Sequence, residues 1–338
     1  MHPTLSVVMP NYNHVRFVEG ALEAIAAQSF DSVEIVVVDD HSTDNSLEVI
    51  ERFGRGRSQF LLLKNDSNQG AVASFSKGRA AASGDYLYLA AADDLVLPGL
   101  FEKSMKLLTG HPEAGVSSAL VRIIAEDGTD RGLDKSPTIR PEASYLNPSE
   151  VRMVLERRGL FATGNTCIYR RGAMDAFGPF DPDLEGFYDG FMAHAIAAKH
   201  GACFIPEPLV CWRRMPTGFS QLPGTDVRKS MQIVNYAAGL MRTTHRDLFP
   251  ETFIVEYERR AAYSAGVDVA RRTTEHPDQA LEQIRLLFAD KPVFLAPLFL
   301  LLFRISGSFW LLRRCLQTAY LLTPSFVFEK VRSWRETT

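Results

Sequence analysis

The first hundred residues alternate short β-rich runs with helical stretches. Residues 34–38 form a near-continuous β-branched run, which is typical of a strand whose sheet is covered on both faces. The same criteria predict strands at 5–10, 34–38, 60–63 and 86–90, and helices at 17–28, from about 46, and at 72–82. This order predicts an α/β fold with a mostly parallel, Rossmann-like sheet and right-handed crossovers.

Polar residues follow three of these predicted strands. They are Asn11-Tyr12-Asn13, Asp39-Asp40 and Asp93-Asp94. In parallel sheets, ligands bind beyond the carboxyl ends of the strands. Because three separate loops carry polar groups to the same edge, the sequence predicts a ligand site there.

Composition limits the classes of partner. The chain has 338 residues, of which 46% are hydrophobic, enough for one large α/β domain with an extension. Its formal net charge of −3 provides no overall basic field that would attract nucleic acid. The four cysteines form no CxxC pair and are expected to be reduced. The residues before Leu5 lack the pattern of a signal peptide, so the first half is expected to fold in the cytoplasm.

Five linked motifs resemble the opening of family-2 glycosyltransferases. They are residues 6–13, 36–44, 68–70, 84–87 and 92–99. The order and spacing match from about residue 4 to about residue 110, and a looser likeness continues to about Arg213. The resemblance implies a GT-A nucleotide-diphospho-sugar transferase fold, a nucleotide-sugar donor and a divalent metal.

The resemblance also implies where the nucleotide lies. Pro10 and Tyr12 can offer a flat apolar surface to a base, and Asp40 can accept a hydrogen bond from a uracil-type imide. The remaining motif positions expected beside the donor are Asn11, Asn68, Gly70 and Ala92. The simpler alternative is that Asp39 and Asp40 only end a strand. For Asp44, capping of the next helix is the favoured interpretation.

A departing diphosphate needs a cation, and hard oxygen ligands suit Mg²⁺ or Mn²⁺. Asp93 matches the family's main metal ligand, and Asp94 is expected beside the donor. The family usually reads Asp-x-Asp-Asp at this point, whereas here Ala91 replaces the first carboxylate. The alternative is a turn or helix cap before Pro98.

A general base must remove the proton of the attacking hydroxyl. Residues 180–190 resemble the family segment that ends in Glu-Asp before a helix, so Asp189 takes the catalytic position. Tyr188 stands where Glu is common and is expected to line the substrate site. Alternatively, Asp189 caps a helix predicted at 191–199, and Glu185 is the reserve base.

Two further segments resemble walls of the family's substrate site. Gly164 and Asn165 precede a strand predicted at 166–169, where the family lines the sugar pocket. Arg213 or Arg214 is expected to neutralise diphosphate charge, with exposed arginines after a strand as the equal alternative. A lone His194 on an alanine-rich helix is interpreted as a packed or solvated residue.

The chain is expected to contain three parts. Residues 1–225 form the GT-A domain, with a donor half at 1–115 and an acceptor half at 116–225; residues 226–290 form a helical extension, and 291–338 an apolar and basic tail. The apolar run 292–303 is too short to cross a bilayer comfortably. Its aromatic and basic neighbours suggest an interfacial helix on the cytoplasmic membrane face or against a membrane partner. A buried helical hairpin or a homo-oligomer interface is the alternative.

Together these features predict an inverting, metal-dependent glycosyltransferase that transfers sugar to a polysaccharide or a lipid-linked glycan, and the family resemblance implies a UDP-sugar as its donor. A nucleotidyltransferase would need a glycine-rich phosphate loop after the first strand, which residues 9–13 do not supply. A catalytically degenerate nucleotide-binding scaffold is the second alternative, because Ala91 and Tyr188 depart from the family pattern.

Overall fold

The computed structural model describes residues 4–134, 136–215 and 227–272. The chain divides into two compact units. The first comprises residues up to 215 together with 247–250, and the second comprises 216–246 and the residues from 251 onward. The predicted tail, 291–338, lies outside the described residues.

The first unit is built on a ten-stranded sheet whose main path runs β3-β2-β1-β4-β9-β6-β10-β5, with β7 beside β6 and β8 beside β10. The strands are β1 Leu5–Asn11, β2 Val33–Asp39, β3 Phe60–Lys64, β4 Tyr86–Leu89, β5 Leu95–Val96, β6 Val116–Ala125, β7 Asp130–Leu133, β8 Ser144–Leu146, β9 Ile168–Arg170 and β10 Ala202–Arg214. β1 to β4 pair in parallel, and β9 is antiparallel to both β4 and β6. The predicted α/β class with a mostly parallel sheet is confirmed.

Seven α-helices of this unit follow or flank the strands. They are α1 Val18–Ala26, α2 Ser46–Gly54, α3 Ala71–Ala81, α4 Leu100–Gly110, α5 Pro148–Arg158, α6 Arg171–Phe177 and α7 Tyr188–His200, with 3-10 helices at Gly164–Thr166 and Pro182–Phe187. α5 begins with a capping box in which Asn147 and Glu150 bind each other's backbone N–H groups. The helices cover the sheet, which explains why Val36, Val37 and Val38 are fully buried.

Two predicted elements near the site begin elsewhere. The strand predicted at 166–169 begins only at Ile168, because residues 164–166 turn as a 3-10 helix in which the Thr166 N–H donates to the Thr163 carbonyl. The helix predicted at 191–199 begins at Tyr188. Asp189 is therefore the second residue of α7 rather than its cap. In the first turn of α7, its Oδ1 accepts from the Gly190 N–H.

The register between β10 and β6 changes along their length. Ile205 pairs with Ala119, but Pro208 pairs with Leu120, and from Val210 onward the pairing is regular to the end of the strand. β10 therefore contains extra residues relative to β6. Beyond this irregularity it carries Trp212 and Arg213 to the carboxyl edge of the sheet.

The second unit contains two helices in its described part, α8 Val227–Arg242 and α9 Glu251–Arg272. Arg242 of α8 forms ion pairs with Glu251 and Glu258 of α9. No helix among the described residues is both long and apolar enough to span a bilayer.

Candidate active site

Asp93 and Asp94 lie just beyond the end of β4, and the two carboxylates differ in their surroundings. Asp94 is buried, and its two carboxylate oxygens accept hydrogen bonds from the Arg213 backbone N–H and the Asn165 side-chain amide, both at 2.8 Å. Asp93 is half-buried, and within the described parts of the chain no other residue donates a hydrogen bond to its carboxylate. Asp94 is thus held by the protein, whereas Asp93 is available to a ligand.

The electrostatics of the pair favour a cation. Burial raises the pKa of Asp93, an effect that the residue's own backbone N–H and the nearby Arg213 guanidinium oppose. Burial also raises the pKa of Asp94, and the neighbouring Asp93 carboxylate raises it further. Removing two adjacent carboxylates from water costs less free energy when a positive ion lies between or beside them.

The donor set at this position fits a magnesium or manganese ion. Groups of three or more potential ligands drawn from His, Cys, Asp and Glu are absent from the described residues. Mg²⁺ is commonly bound by one or two carboxylates together with substrate phosphates and water. Asp93 with a diphosphate would make such a set, and Asp94 would add charge without giving up its hydrogen bonds.

Arg213 directs its side chain to backbone carbonyls around the pair. Its Nε donates to the Asp93 carbonyl at 2.8 Å, and Nη1 donates to the Glu126 carbonyl at 2.9 Å and to the Ala125 carbonyl at 3.3 Å. The guanidinium lies 4.7 Å from the ring centre of Phe17. The side chain therefore joins the ends of β4, β6 and β10, and its predicted contact with diphosphate stays a prediction.

Arg214 differs from its neighbour. Its guanidinium stacks on the Trp212 ring at 3.9 Å and lies 3.9 Å from Asp134, and its side chain is 43% exposed. Its predicted contact with diphosphate also stays a prediction.

The predicted base, Asp189, lies against the 3-10 helix that carries Asn165. A methyl group built on Gly164 would lie 1.9 Å from Asp189 Oδ2. Since Asn165, the next residue, donates to Asp94, two adjacent residues connect the surroundings of Asp189 with those of the Asp93–Asp94 pair. The structure thus brings Gly164 against Asp189 and Asn165 against Asp94, and the assignment of these four residues to a common site stays a prediction.

The carboxylate of Asp189 has an unusual pKa, and its predicted role as a base stays a prediction. Burial raises its pKa to about 6, although the Gly190 N–H lowers it by donating to Oδ1 at 2.6 Å. Its Oδ2 faces Gly164. A raised pKa makes the carboxylate a better proton acceptor once it is ionised.

The neighbours of Asp189 along the chain have different surroundings. The ring of Tyr188 is buried against Phe75 and Phe180, at centroid distances of 6.0 and 5.0 Å. Glu185 has φ of +44° and ψ of −128°, a conformation that is strained for a residue with a side chain. The substrate contact predicted for Tyr188 and the reserve-base role of Glu185 both stay predictions.

Of the two alternatives left open for His194, packed or solvated, the structure shows the packed one. Its Nε2 accepts hydrogen bonds from the N–H groups of Phe161 and Ala162, and Nδ1 is 2.7 Å from the Gly190 carbonyl. The sequence gave no sign of these partners.

Asp40 lies at the end of β2 and is buried. Its Oδ1 accepts from the Asn65 side chain at 2.7 Å and from the Gln69 N–H at 2.9 Å, and Oδ2 accepts from the Gly70 N–H at 2.7 Å. Gly70 has φ of +87°, and its N–H also faces Asn68 Oδ1 at 3.1 Å. Asp40 therefore shapes the 68–70 loop, and the base contacts predicted for Asp40, Asn68 and Gly70 stay predictions.

The first strand supplies an exposed ring and a buried amide. Tyr12 is 41% exposed, as a stacking surface requires, and follows Pro10 and the buried Asn11. The Asn11 amide donates to Asp39 and Ser42. These positions, with the buried Ala92 near Asp93, lie at the carboxyl ends of their strands, but their contacts with a donor stay predictions.

Asp44 lies one residue before Asn45, the N-cap residue of α2. It accepts from the Ser46 N–H, the first of α2, at 2.9 Å, and from the Val15 N–H at 3.0 Å, and its predicted role as the cap stays a prediction. Among the described cysteines, Cys167, Cys203 and Cys211 are unpaired and buried.

Comparison with known proteins places the chain in a family. The sequence model described as Glycosyl transferase family 2 matches residues 6–178. A Nostoc sp. protein described as uncharacterized glycosyltransferase alr2836 is 30% identical over 271 residues, which is 79% of each chain.

Two solved structures show the same fold at low sequence identity. TarS 1-349 from S. aureus, in complex with UDP-GlcNAc, has a TM-score of 0.61 and 16% identity, and the match covers 93% of this chain and 91% of TarS 1-349. The mannosyltransferase PcManGT from Pyrobaculum calidifontis, in complex with GDP-Man and Mn²⁺, has a TM-score of 0.54 and 18% identity, covering 94% and 86%. These likenesses show the GT-A fold.

Proposed function

The chain belongs to glycosyl transferase family 2, and from that premise we propose an inverting transferase that uses a metal-bound uridine-diphosphate sugar and Asp189 as its general base. The family membership makes it an enzyme that transfers sugar from a nucleotide-sugar donor. The proposal adds the base, the metal dependence, the direction of attack and the donor nucleotide. The supporting observation is that Gly164 and Asn165 join the surroundings of Asp189 and Asp94.

In the proposed reaction the acceptor hydroxyl attacks the anomeric carbon from the face opposite the diphosphate. Its oxygen forms the new glycosidic bond, its proton passes to Asp189 Oδ2, and the diphosphate leaves with the electron pair of the broken C–O bond. Asp189 Oδ1 is occupied by the Gly190 N–H, so Oδ2 is the oxygen assigned to the proton. Asp93 would hold the metal, which would neutralise charge on the departing diphosphate.

For the donor and the acceptor we propose only a chemical class. A uridine nucleotide agrees with the complex of TarS with UDP-GlcNAc, and a divalent metal agrees with the Mn²⁺ bound to PcManGT. For the acceptor we propose a polysaccharide or lipid-linked glycan at the cytoplasmic membrane face. The apolar and basic pattern of residues 291–338 supports that location.

The proposal is tested by binding and by turnover. Calorimetry with UDP, GDP and dTDP, with and without Mn²⁺, measures the nucleotide and metal requirements. Release of nucleoside diphosphate from the matching sugars, with polyprenyl-phosphate and glycan acceptors, measures transfer. Asp93→Asn is expected to lose metal-dependent binding, and Asp189→Asn to keep binding while transfer falls by about a thousandfold or more.

Asp183→Asn is the matched control, since Asp183 is exposed in the loop before α7. Full activity of Asp189→Asn would refute the assignment of the base, and equal nucleotide binding without metal would refute the metal dependence. Nucleotide binding with no transfer to any acceptor would instead favour a non-catalytic scaffold.

A further inference from the structure

His194 occupies a buried position on α7, one helical turn after Gly190, and only 1% of it is exposed. Its Nε2 lies 3.0 Å from the Phe161 backbone nitrogen and 3.2 Å from that of Ala162. The Phe161 ring packs edge-on against the imidazole at 5.1 Å. The ring is therefore fixed by hydrogen bonds and by packing.

The hydrogen bonds determine the tautomer. A ring nitrogen that accepts two N–H groups carries no proton, so the proton of the neutral ring is on Nδ1 and is donated to the Gly190 carbonyl at 2.7 Å. Burial lowers the pKa of His194 to about 4, which keeps the ring neutral at physiological pH. In this form the side chain accepts from one segment and donates to another.

The segment held by Nε2 leads directly into the site. Three residues after Phe161 comes Gly164, which lies against Asp189, and Asn165 follows with its hydrogen bond to Asp94. Gly190, held by Nδ1, follows Asp189 and donates to its carboxylate. A shift of residues 161–162 away from α7 would move Gly164 and Asn165 relative to Asp189.

We infer that His194 is a positioning residue for sugar transfer: its Nε2 fixes residues 161–162 against α7, so that Gly164 and Asn165 keep Asp189 and Asp94 in place. The inference rests on the proposed function, because it assigns importance to the placement of those carboxylates. His194 acts through the backbone and does not touch the substrate.

The two ring nitrogens contribute unequally. The Gly190 carbonyl already accepts the helical hydrogen bond from the His194 backbone N–H, so the Nδ1 proton adds a second bond to a satisfied acceptor. The N–H groups of Phe161 and Ala162, in contrast, have Nε2 as their acceptor. A buried N–H without an acceptor is costly, so Nε2 has the larger effect.

Substitutions can separate the two nitrogens. His194→Gln places a carbonyl oxygen as many bonds from Cα as Nε2 and keeps the acceptor, whereas His194→Asn places an amide N–H at the position of Nδ1 and keeps only the donor. His194→Leu removes both. kcat and KM would be measured with the donor sugar and Mn²⁺, and the melting temperature would be measured for each variant.

We expect kcat to fall in the Asn and Leu variants of His194 but not in the Gln variant. His194→Asn and His194→Leu are expected to lower kcat by about tenfold or more, since small displacements of catalytic groups have effects of this order. His194→Gln is expected to stay within about threefold of the unmodified chain, and the donor KM of all three to change by less than about threefold. Should His194→Leu fail to fold, the comparison of Gln with Asn still decides.

Three results would overturn the inference. Equal kcat for the Asn variant and the unmodified chain would do so, as would a lower melting temperature with unchanged kcat per folded molecule. Equal losses for Gln and Asn would refute the role of Nε2. These results leave the proposed function intact if Asp189→Asn is inactive, whereas no transfer by the unmodified chain would overturn both.

Discussion

Gly164 and Asp189 are so close that no side chain fits between them. A Cβ on Gly164 would lie 1.9 Å from Oδ2, 2.3 Å from Cγ and 2.7 Å from Cβ of Asp189. The backbone of Gly164 does not have positive φ, so this glycine is required for space and not for backbone conformation. The close contact includes the Asp189 Cβ, and rotation of the carboxylate alone does not relieve it.

Gly164→Ala is therefore expected to displace Asp189. Transfer should fall by about a hundredfold, because a displacement of about 1 Å can have that effect. The measurement is kcat, together with the affinity for nucleotide, which should change much less. Gly110→Ala is the control, since a methyl group there would meet nothing within 4 Å. Full activity of Gly164→Ala would show that Asp189 can move without consequence.

The rate of transfer should depend on the ionisation of Asp189. Burial raises the pKa of this carboxylate to about 6, so its neutral form persists to a higher pH than for an exposed aspartate. A general base must be ionised, and kcat should therefore be nearly full above about pH 7 and fall to about half near pH 6. The measurement is kcat against pH at saturating donor.

The carboxylates of Asp93 and Asp94 also have raised pKa values. Varying the Mn²⁺ concentration distinguishes their protonation from that of Asp189. Loss of rate through protonation of a metal ligand should shift to lower pH when Mn²⁺ is increased tenfold. The decline assigned to Asp189 should stay in place. A rate that is constant from about pH 5 to about pH 8 would contradict the assignment.

Arg213→Lys should destabilise the Asp93–Asp94 loop. Arginine donates to the carbonyls of Asp93 and Glu126 from two nitrogens of one planar group. Lysine has a single amino group and cannot donate to both carbonyls in this geometry. We expect the free energy of unfolding to fall by about 1–3 kcal/mol, as for buried hydrogen-bonding groups left unpaired. Denaturant unfolding measures this change, and calorimetry with Mn²⁺ and nucleotide should show weaker binding.

Arg214→Lys is the matched control for this substitution. The ion pair of Arg214 with Asp134 is long, at 3.9 Å, and partly exposed, so stability should change by less than about 1 kcal/mol. If Arg213 instead serves chiefly as a diphosphate ligand, Arg213→Lys will weaken nucleotide binding and leave unfolding unchanged.

Asp40→Asn should loosen the loop at residues 68–70. The carboxylate accepts three hydrogen bonds, and an amide would turn its N–H₂ group toward some of the same donors. A loss of about 1–3 kcal/mol in the free energy of unfolding is expected. Asp66→Asn, at an exposed position in the preceding turn, is the control. Unchanged stability combined with altered preference among UDP, GDP and dTDP would show that Asp40 serves the base alone.

The edge of the sheet could be predicted because strand and turn patterns are visible in short stretches of sequence. The β-branched run before Asp39 and the turn residues after Met9 are visible in short windows, and strand direction follows from the alternation with helices. The same windows placed Asp93 and Asp94 beyond a strand. The order of strands and helices over about the first ninety residues could therefore be anticipated apart from exact boundaries.

The partners of the site residues could not be predicted in this way. Asp94 binds Asn165 and Arg213, which follow it by 71 and 119 residues, so the contacts depend on how β9 and β10 pack. The hydrogen bonds of His194 are set by the path of residues 161–162, which have no periodic pattern. The start of α7 at Tyr188 was missed because a strained residue, Glu185, precedes it.

The irregular pairing of β10 with β6 lies between Ile205 and Val210. The number of residues in this segment is as important for the placement of Arg213 as their identity. The side chains of a strand alternate between two faces, so an insertion or deletion of one residue between Ile205 and Val210 that the irregular segment does not absorb exchanges the faces of all that follow. Such a change would turn the Arg213 side chain away from the Asp93 carbonyl, although each strand residue kept its identity. Homologous enzymes built on this arrangement should therefore vary in sequence between these two positions while keeping the number of residues constant.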